Sequence, residues 1–383
     1  MTGNNPLGIT GLLGLHFYVR DLERSRKFYT EVLDFAEVGA STPETTEQGR
    51  QQSLIFRAGY IHIVCSSPVG DGGRAHRYLS RHPDGIGTVT FEVRDISGCF
   101  EQLEKRGATA ITDIQIAELD DGRYQQFSIT TPFGDTTFRF VQRSSKVLFP
   151  GMEYYAEPRG GANRHGFARI DHITSNFQTM SPALLWMEHV MGFEHIWEIQ
   201  FHTSDLSDEN GSGSGLSSKV MGLPDLGIKF ANNEPRRPNF KESQINLFTE
   251  QHRGPGVQHV ALTVPDIMST VDALMTVGAP FMPIPDSYYD MLPERLKRIG
   301  VGSIDEDIEA LRKRGILVDG AAKGFYLLQI FLADAAQSYG DTTAGPFFYE
   351  IIMRKGDEGF GAGNFRALFE SIERQQQIDG GSD

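Results

Sequence analysis

DISGCFEQLEKRGA, residues 95–108, and DIMSTVDALMTVGA, residues 266–279, carry Asp, Ile, Leu, Gly and Ala at the same five offsets. In each segment the aspartate stands where a helix N-cap belongs, its carboxylate able to accept the free N–H groups of the first turn. Gly107 and Gly278 stand just past the helix, where a left-handed residue closes the last turn without steric cost. A β-prone run precedes each helix, GTVTFEV (87–93) and QHVALTV (258–264). A second pairing joins FYTEVLDFAEV (28–38) to WMEHVMGFEHI (186–196), each the end of an amphipathic helix followed by a short strand. Further strand candidates follow, such as SLIFRAG with YIHIVCSS and RYQQFSITT with TTFRFVQR. The pattern predicts an α+β chain of four strand–helix–strand–strand–strand (βαβββ) units at 11–67, 84–143, 166–250 and 256–354, two per domain. The second domain is then a copy of the first. A Gly-, Pro- and Tyr-rich segment, 146–165, sets the expected boundary and gives domains 1–150 and 151–383. Residues 203–217 are a flexible loop by composition, and 286–320 are an insertion with helix-like stretches.

A length of 383 residues suits two such domains. Lys plus Arg number 36 against 50 for Asp plus Glu, a formal charge of −14, which argues against nucleic acid or an anionic membrane as partner. Cys65 and Cys99 cannot supply a disulfide framework or a cysteine-rich metal site. The start, MTGNNPLGITGLL, lacks signal-peptide character, and no apolar run has bilayer-spanning length, so a cytoplasmic location is the expectation. GFGAGNF (359–365) is glycine-rich but follows no strand–turn–helix unit, which excludes a dinucleotide site.

Differences between the copies locate the chemistry. Aligned on the helices, the second domain places His172 and His259 at equivalent points of its unit-opening strands, where the first domain has Gly14 and Thr88. On the last strand, Glu350 in FFYEIIMR faces Arg139 in TTFRFVQR as its counterpart. A carboxylate between apolar neighbours is costly to bury without a cation. Two imidazoles and one carboxylate on one face leave open coordination positions, the ligand set of non-haem Fe(II) in oxygen chemistry. His62 is aligned with the Glu350 position in the first unit but lacks companions, so the first domain is expected to be metal-free.

The motifs IDHIT (170–174), SGLSSKVM (214–221), NNEP (232–235), SQIN (243–246), GPGVQHVAL (254–262), LLQIF (327–331), FFYEII (347–352) and GFGAGNFRALFESIERQ (359–375) occur in this order. Together they give the chain a resemblance to the 4-hydroxyphenylpyruvate dioxygenases, of the vicinal oxygen chelate fold, over nearly its whole length. The resemblance implies two domains of paired βαβββ modules forming open sheet barrels, plus a C-terminal helix. It implies one Fe(II) per chain on His172, His259 and Glu350. It also implies a 2-oxo acid substrate that chelates the metal, O2 as co-substrate, and oxidative decarboxylation, ring hydroxylation and side-chain migration to homogentisate, a step of tyrosine catabolism. Ser218, Asn233, Gln244, Gln258 and Gln329 would then orient the phenol and oxo-acid groups as neutral hydrogen-bonding side chains. Phe331, Phe348, Phe360, Asn364 and Phe365 would line the substrate, with Phe331 and Phe365 sandwiching its ring. Gln258 directly precedes His259, and alternate strand residues point to opposite faces, so a bulge or twist is expected there.

Phe365, Leu368, Phe369 and Ile372 recur at helical spacing, which predicts a helix over 364–377. Hinged at Gly359, Gly361 and Gly363, it is expected to act as a lid that excludes water. The resemblance also suggests a homodimer or tetramer. Rival readings are a 4-hydroxymandelate synthase, an extradiol catechol dioxygenase and a metal-free binding protein. The bulky Phe348 and the intact NNEP and SQIN segments favour the first-named family over the synthase. Its Gln and Asn set points away from an extradiol dioxygenase, and a binding module has no reason to keep His172, His259 and Glu350 together.

Overall fold

The computed structural model describes residues 5–202, 215–236, 240–241, 243–361 and 363–364. Two curled sheets, built on the same plan, carry the fold. The first runs β6 (Gln115–Leu119), β7 (Gly122–Ile129), β8 (Thr137–Arg143), β5 (Gly85–Val93), β1 (Ile9–Tyr18), β4 (Ile61–Pro68), β3 (Gln51–Ala58), β2 (Ala36–Ser41), β9 (Met152–Gly160). The second runs β11 (Glu194–His202), β12 (Gly215–Leu223), β13 (Ile228–Arg236), β10 (Ile170–Asn176), β14 (Gly256–Thr263), β17 (Phe348–Lys355), β16 (Phe325–Phe331), β15 (Leu317–Ala322). At the centre of the first, β1 and β5 are antiparallel and each has a parallel neighbour, β4 and β8. At the centre of the second, β10 and β14 are antiparallel and are flanked by parallel β13 and β17. The duplication read from the helices is therefore a duplication of strand topology.

The predicted caps hold. Asp95 accepts from the Gly98 N–H, and Asp266 from those of Met268 and Ser269. Gly107 and Gly278 have φ of +86° and +77°. The second pairing is also structural: both helices end in a single π turn, Phe28–Val32 and Met187–Met191. These helices and the outer sheet faces share one apolar core that joins the two halves, with Phe91 and Phe138 against Phe230. Tyr29 and Tyr349 meet hydroxyl to hydroxyl across it at 2.8 Å.

The boundary differs from the expected residue 150. Met152–Gly160 pairs with β2 as the ninth strand of the first sheet, so that sheet extends to Gly160. The reason is an otherwise open edge: β2 presents unpaired backbone groups. Leu148, Phe149, Met152 and Tyr154 also cover Val38, Ile55 and Val64 on the concave side of the first sheet. The first cup is thus stoppered by the chain that leaves it.

A histidine contact ties the first half to the helix Gln244–His252, which leads into β14. The His252 ring stacks on His82 at 4.7 Å, and its Nε2 lies 3.2 Å from the Tyr78 hydroxyl. His82 Nδ1 donates to the His252 carbonyl at 2.8 Å. Burial, reinforced by His82, lowers the His252 pKa to about 4. The unfolded chain, with an ordinary value of about 6.5, then binds the extra proton first, so stability falls as pH drops through this window. Acidification from pH 6.5 to 4 is expected to remove roughly 3 kcal/mol through this group. Urea unfolding of the wild type and of His252→Gln across that range checks it; the variant should show a flatter acid limb.

Candidate metal centre

His172 on β10, His259 on β14 and Glu350 on β17 converge on the concave face of the second sheet. Their ligand atoms all lie within 4.8 Å of one another. Glu350 Oε2 stands 3.4 Å from His172 Nε2 and 3.5 Å from His259 Nε2, and all three side chains are buried. Strand pairing produces this convergence. His172 pairs with Ala261, Thr174 with His259, and Ala261 with Glu350. In the first sheet the same register pairs Gly14 with Thr90, His16 with Thr88, and Thr90 with Arg139. Gly14, Thr88 and Arg139 therefore occupy the places of His172, His259 and Glu350, as the repeat predicted. His62 does not occupy the Glu350-like place in the first unit. Pairing of β1 with β4 sets Val64 opposite His16 and thus at that place, two residues further on.

The expected bulge at Gln258 is present, and it has a twin. The ladder passes from Thr174–His259 to Ser175–Val257, leaving Gln258 unpaired, and from Ile170–Leu262 to His172–Ala261, leaving Asp171 unpaired. Each histidine is therefore preceded by a bulged residue whose side chain is no longer confined to the opposite face. Asp171 Oδ1 accepts from His172 Nδ1 at 2.8 Å, and Gln258 Oε1 from His259 Nδ1 at 3.2 Å. Both contacts leave Nε2 for the centre of the triad.

The electrostatics of the two rings differ. Burial lowers the pKa of each, but the Glu350 charge and the Asp171 hydrogen bond raise that of His172 to about 9. His259, backed by a neutral amide, stays below its ordinary value because burial dominates. Burial pushes Asp171 upward, yet Arg354 and His172 hold it far below the carboxylate range. Glu350 is likewise lowered against its burial, by His172 and His259. A buried carboxylate facing two imidazole nitrogens, each oriented by an acceptor behind it, is a donor set that fits a metal cation.

Aromatic rings wall the group. Phe348 stacks on His259 at 4.9 Å, and Phe331 meets both rings edge-on, at 6.2 and 6.0 Å. Phe360 stands edge-on to His172 at 5.5 Å and packs with Trp197, Val220 and Ala231. Ser218 pairs with Asn233, and Asn233 donates to Asn176 Oδ1 at 3.1 Å. Both Gln329 carboxamide atoms are buried without a partner among the described residues, and the side chain lies against Gly361, where a Cβ would come within 2.0 Å.

A family model of the Glyoxalase/Bleomycin resistance protein/Dioxygenase superfamily matches residues 11–136 and 169–291. Curated 4-hydroxyphenylpyruvate dioxygenases match almost end to end. The protein from Neurospora crassa is 34% identical, with 94% of this chain and 90% of the relative covered. That from Coccidioides posadasii is 32% identical, covering 96% and 93%, and that from Dictyostelium discoideum 31%, covering 95% and 97%. The chain belongs to the 4-hydroxyphenylpyruvate dioxygenase family. Among solved structures, a mutant of 4-hydroxymandelate synthase from Streptomyces coelicolor aligns with TM-score 0.77 at 26% identity, covering 96% of this chain and 99% of that one. A xylose isomerase-like TIM barrel/4-hydroxyphenylpyruvate dioxygenase fusion protein aligns at TM-score 0.71 and 19% identity, with 98% of this chain and 54% of that one covered, and shares the fold.

The dioxygenase-family motifs do not all reach the cup in the same way. Phe331, Phe348 and Phe360 touch the triad histidines, and Gln258 supports His259. Asn233 and Gln329 lie on β13 and β16 beside triad strands, and Ser218 stands one strand further out on β12. Gln244 is exposed on the first turn of its helix. Asn364, expected on the substrate, uses its carboxamide oxygen as a tie: it accepts from Tyr288 Oη at 2.8 Å and Arg295 Nη1 at 3.0 Å. Phe365 and the rest of the expected lid helix lie outside the described residues. Arg295 and Tyr288 belong to the inserted helix Asp286–Arg298, and Asp319 accepts from both Arg295 and the Gly363 N–H. The insertion thus holds the root of the C-terminal segment. Sequence reasoning missed Asp171, Arg354 and Asn176. The aspartate beside His172 in an apolar strand was the available signal for the first.

Glu350→Gln preserves volume while removing the charge that two imidazoles and a cation share. Metal content and chelator competition should show affinity reduced by roughly 100-fold or more.

Proposed function

We propose that this chain is an Fe(II)-dependent dioxygenase that converts 4-hydroxyphenylpyruvate and O2 to homogentisate and CO2. Its metal-binding half begins at β10, and the first half is metal-free. The observation that carries the reading is the buried His172–His259–Glu350 cluster in a chain of this family. Iron held by these three residues would supply adjacent open positions for the oxo-acid group and for O2. The chain's own residues then have separable tasks. Asp171 and Gln258 keep each histidine presenting Nε2. Ser218 and Asn233, with Asn176 behind Asn233, offer neutral hydrogen-bonding groups that orient the substrate without adding charge. Gln329, whose amide has no partner among the described residues, has both a donor and an acceptor to give. Phe331, Phe348 and Phe360 hold the aromatic ring and exclude water, which keeps a reactive oxidant from being quenched by solvent.

The second reading is 4-hydroxymandelate synthase, favoured by the structural likeness at TM-score 0.77. The same substrate and metal site would serve both, with the outcome decided by pocket shape. Iron loading without oxygen, followed by O2 uptake with 4-hydroxyphenylpyruvate and chromatography against both isomeric products, separates them. Homogentisate with one CO2 per O2 is expected; hydroxymandelate would replace this reading with the second. Loss of uptake in properly loaded protein would discard both.

Asn233→Leu should raise KM about 10-fold by removing one substrate hydrogen bond while leaving iron content unchanged. Steady-state kinetics paired with metal analysis reads the two effects separately.

A further inference from the structure

The metal-free sister sheet is an internal control for every residue around the triad. Its bulges fall at the same places: Leu13 is the unpaired residue before Gly14, and Gly87 the one before Thr88. The bulges therefore belong to the fold, and the residues on them are free to vary. Where the first sheet has buried Leu13, packed with Tyr124 and Val141, the second has Asp171.

The same register carries the comparison to an arginine. Arg143 stands four residues after Arg139, and Arg354 four after Glu350. Both hold the chain that follows their strand. Arg143 Nη1 donates to the carbonyls of Ser145, Lys146 and Val147 at 3.3–3.4 Å, and Arg354 Nη1 to those of Asp357 and Gly359 at 2.8 and 2.7 Å. What differs is the carboxylate. Arg143 is paired with Glu92 on β5 at 2.8 Å, whereas the corresponding residue of β14 is Thr263. Arg354 instead grips Asp171, Nε on Oδ2 at 2.7 Å and Nη2 on Oδ1 at 2.6 Å. Only in the half with the histidines has the acid been moved from the neighbouring strand to the bulge beside a ligand.

From that exchange we infer that Asp171 is a positioning residue for His172, and that Arg354 locks it to the segment Asp357–Phe360 that covers the cup. The inference rests on the triad being a metal centre. An ionised carboxylate only accepts, so its contact with Nδ1 requires the proton there and presents Nε2 to the metal. The bidentate arginine leaves the carboxylate no freedom to rotate away. Through the same guanidinium the backbone that carries Phe360 is fastened, and the Phe360 ring lies edge-on to His172. Gln258 gives His259 a longer, neutral version of the same support, so the two imidazoles are unequal ligands.

Two variants test this. Asp171→Asn keeps shape and weakens the acceptor. The double variant Asp171→Leu with Thr263→Glu transplants the sister arrangement, giving Arg354 its glutamate and leaving His172 unsupported. Cobalt(II) serves as the metal, read by its visible d–d bands and by chelator competition, with thermal unfolding as the folding control. Both variants are expected to fold and to bind cobalt roughly 10- to 100-fold more weakly with altered bands. In the iron enzyme, kcat should fall more than KM changes, and Gln258→Ala should lose less affinity than Asp171→Asn. Wild-type affinity and bands in either folded variant would overturn the positioning role while leaving the metal reading intact. Failure of the wild type itself to bind would overturn the metal reading.

Discussion

A carboxylate buried between two imidazoles is the constraint on which the second half of the molecule depends. Glu350 lies on a strand whose other face packs into the common core, so the strand cannot slip without exposing Tyr349 and Ile351. Register therefore fixes the carboxylate, and a one-residue shift would turn it into that core. The antiparallel pair β10–β14 answers by bringing its two histidines to the same face from opposite directions. The bulges do the rest: they insert one residue before each histidine and let that residue support the ring it precedes.

The first half shows what the fold is without this demand. It has the same central strands, the same bulges and the same arginine at the end of β8, yet its cup holds Gly14, Thr88 and Arg139 and is stoppered by Leu148 and Phe149. The difference is chemical rather than topological. Removing the three ligands takes away the need for a supported imidazole, and the bulge position becomes an apolar packing residue. The duplicated scaffold thus carries the His172–His259–Glu350 cluster in one half and an apolar packing residue at the equivalent bulge in the other.

The insertion between β14 and β15 bonds to the start of the C-terminal segment. Buried Arg295 and Tyr288 bond to Asn364, and half-buried Asp319 accepts from Arg295 and the Gly363 N–H, so these three side chains hold the start of the C-terminal segment. Arg354 holds the same segment a few residues earlier. Two arginines, each satisfied by a carboxylate and by backbone carbonyls or a carboxamide, thus fasten the chain that carries Phe360 beside His172. Neither guanidinium is left unpaired in a site where an unpaired charge would be costly.

Much of this was legible in the order of residues. Caps at Asp95 and Asp266 and left-handed glycines at 107 and 278 depend on local geometry, so the repeat and the four units could be read directly. The triad was legible because a duplicated sequence makes a substitution at an equivalent place visible, and Glu350 in an apolar strand has few alternatives to a cation. The bulge at Gln258 followed from strand alternation together with the family resemblance, which sets Gln258 and His259 in one pocket. Other features depend on which strands become neighbours, and no local pattern encodes that. Pairing of β9 with β2 extended the first sheet past residue 150, and the β1–β4 register put Val64 rather than His62 at the Glu350-like place. Arg354 and Asp171 are 183 residues apart in the chain. Their contact, like the tie from Arg295 to Asn364, exists only once the sheet has curled, because long-range ion pairs are chosen by packing and not by sequence proximity.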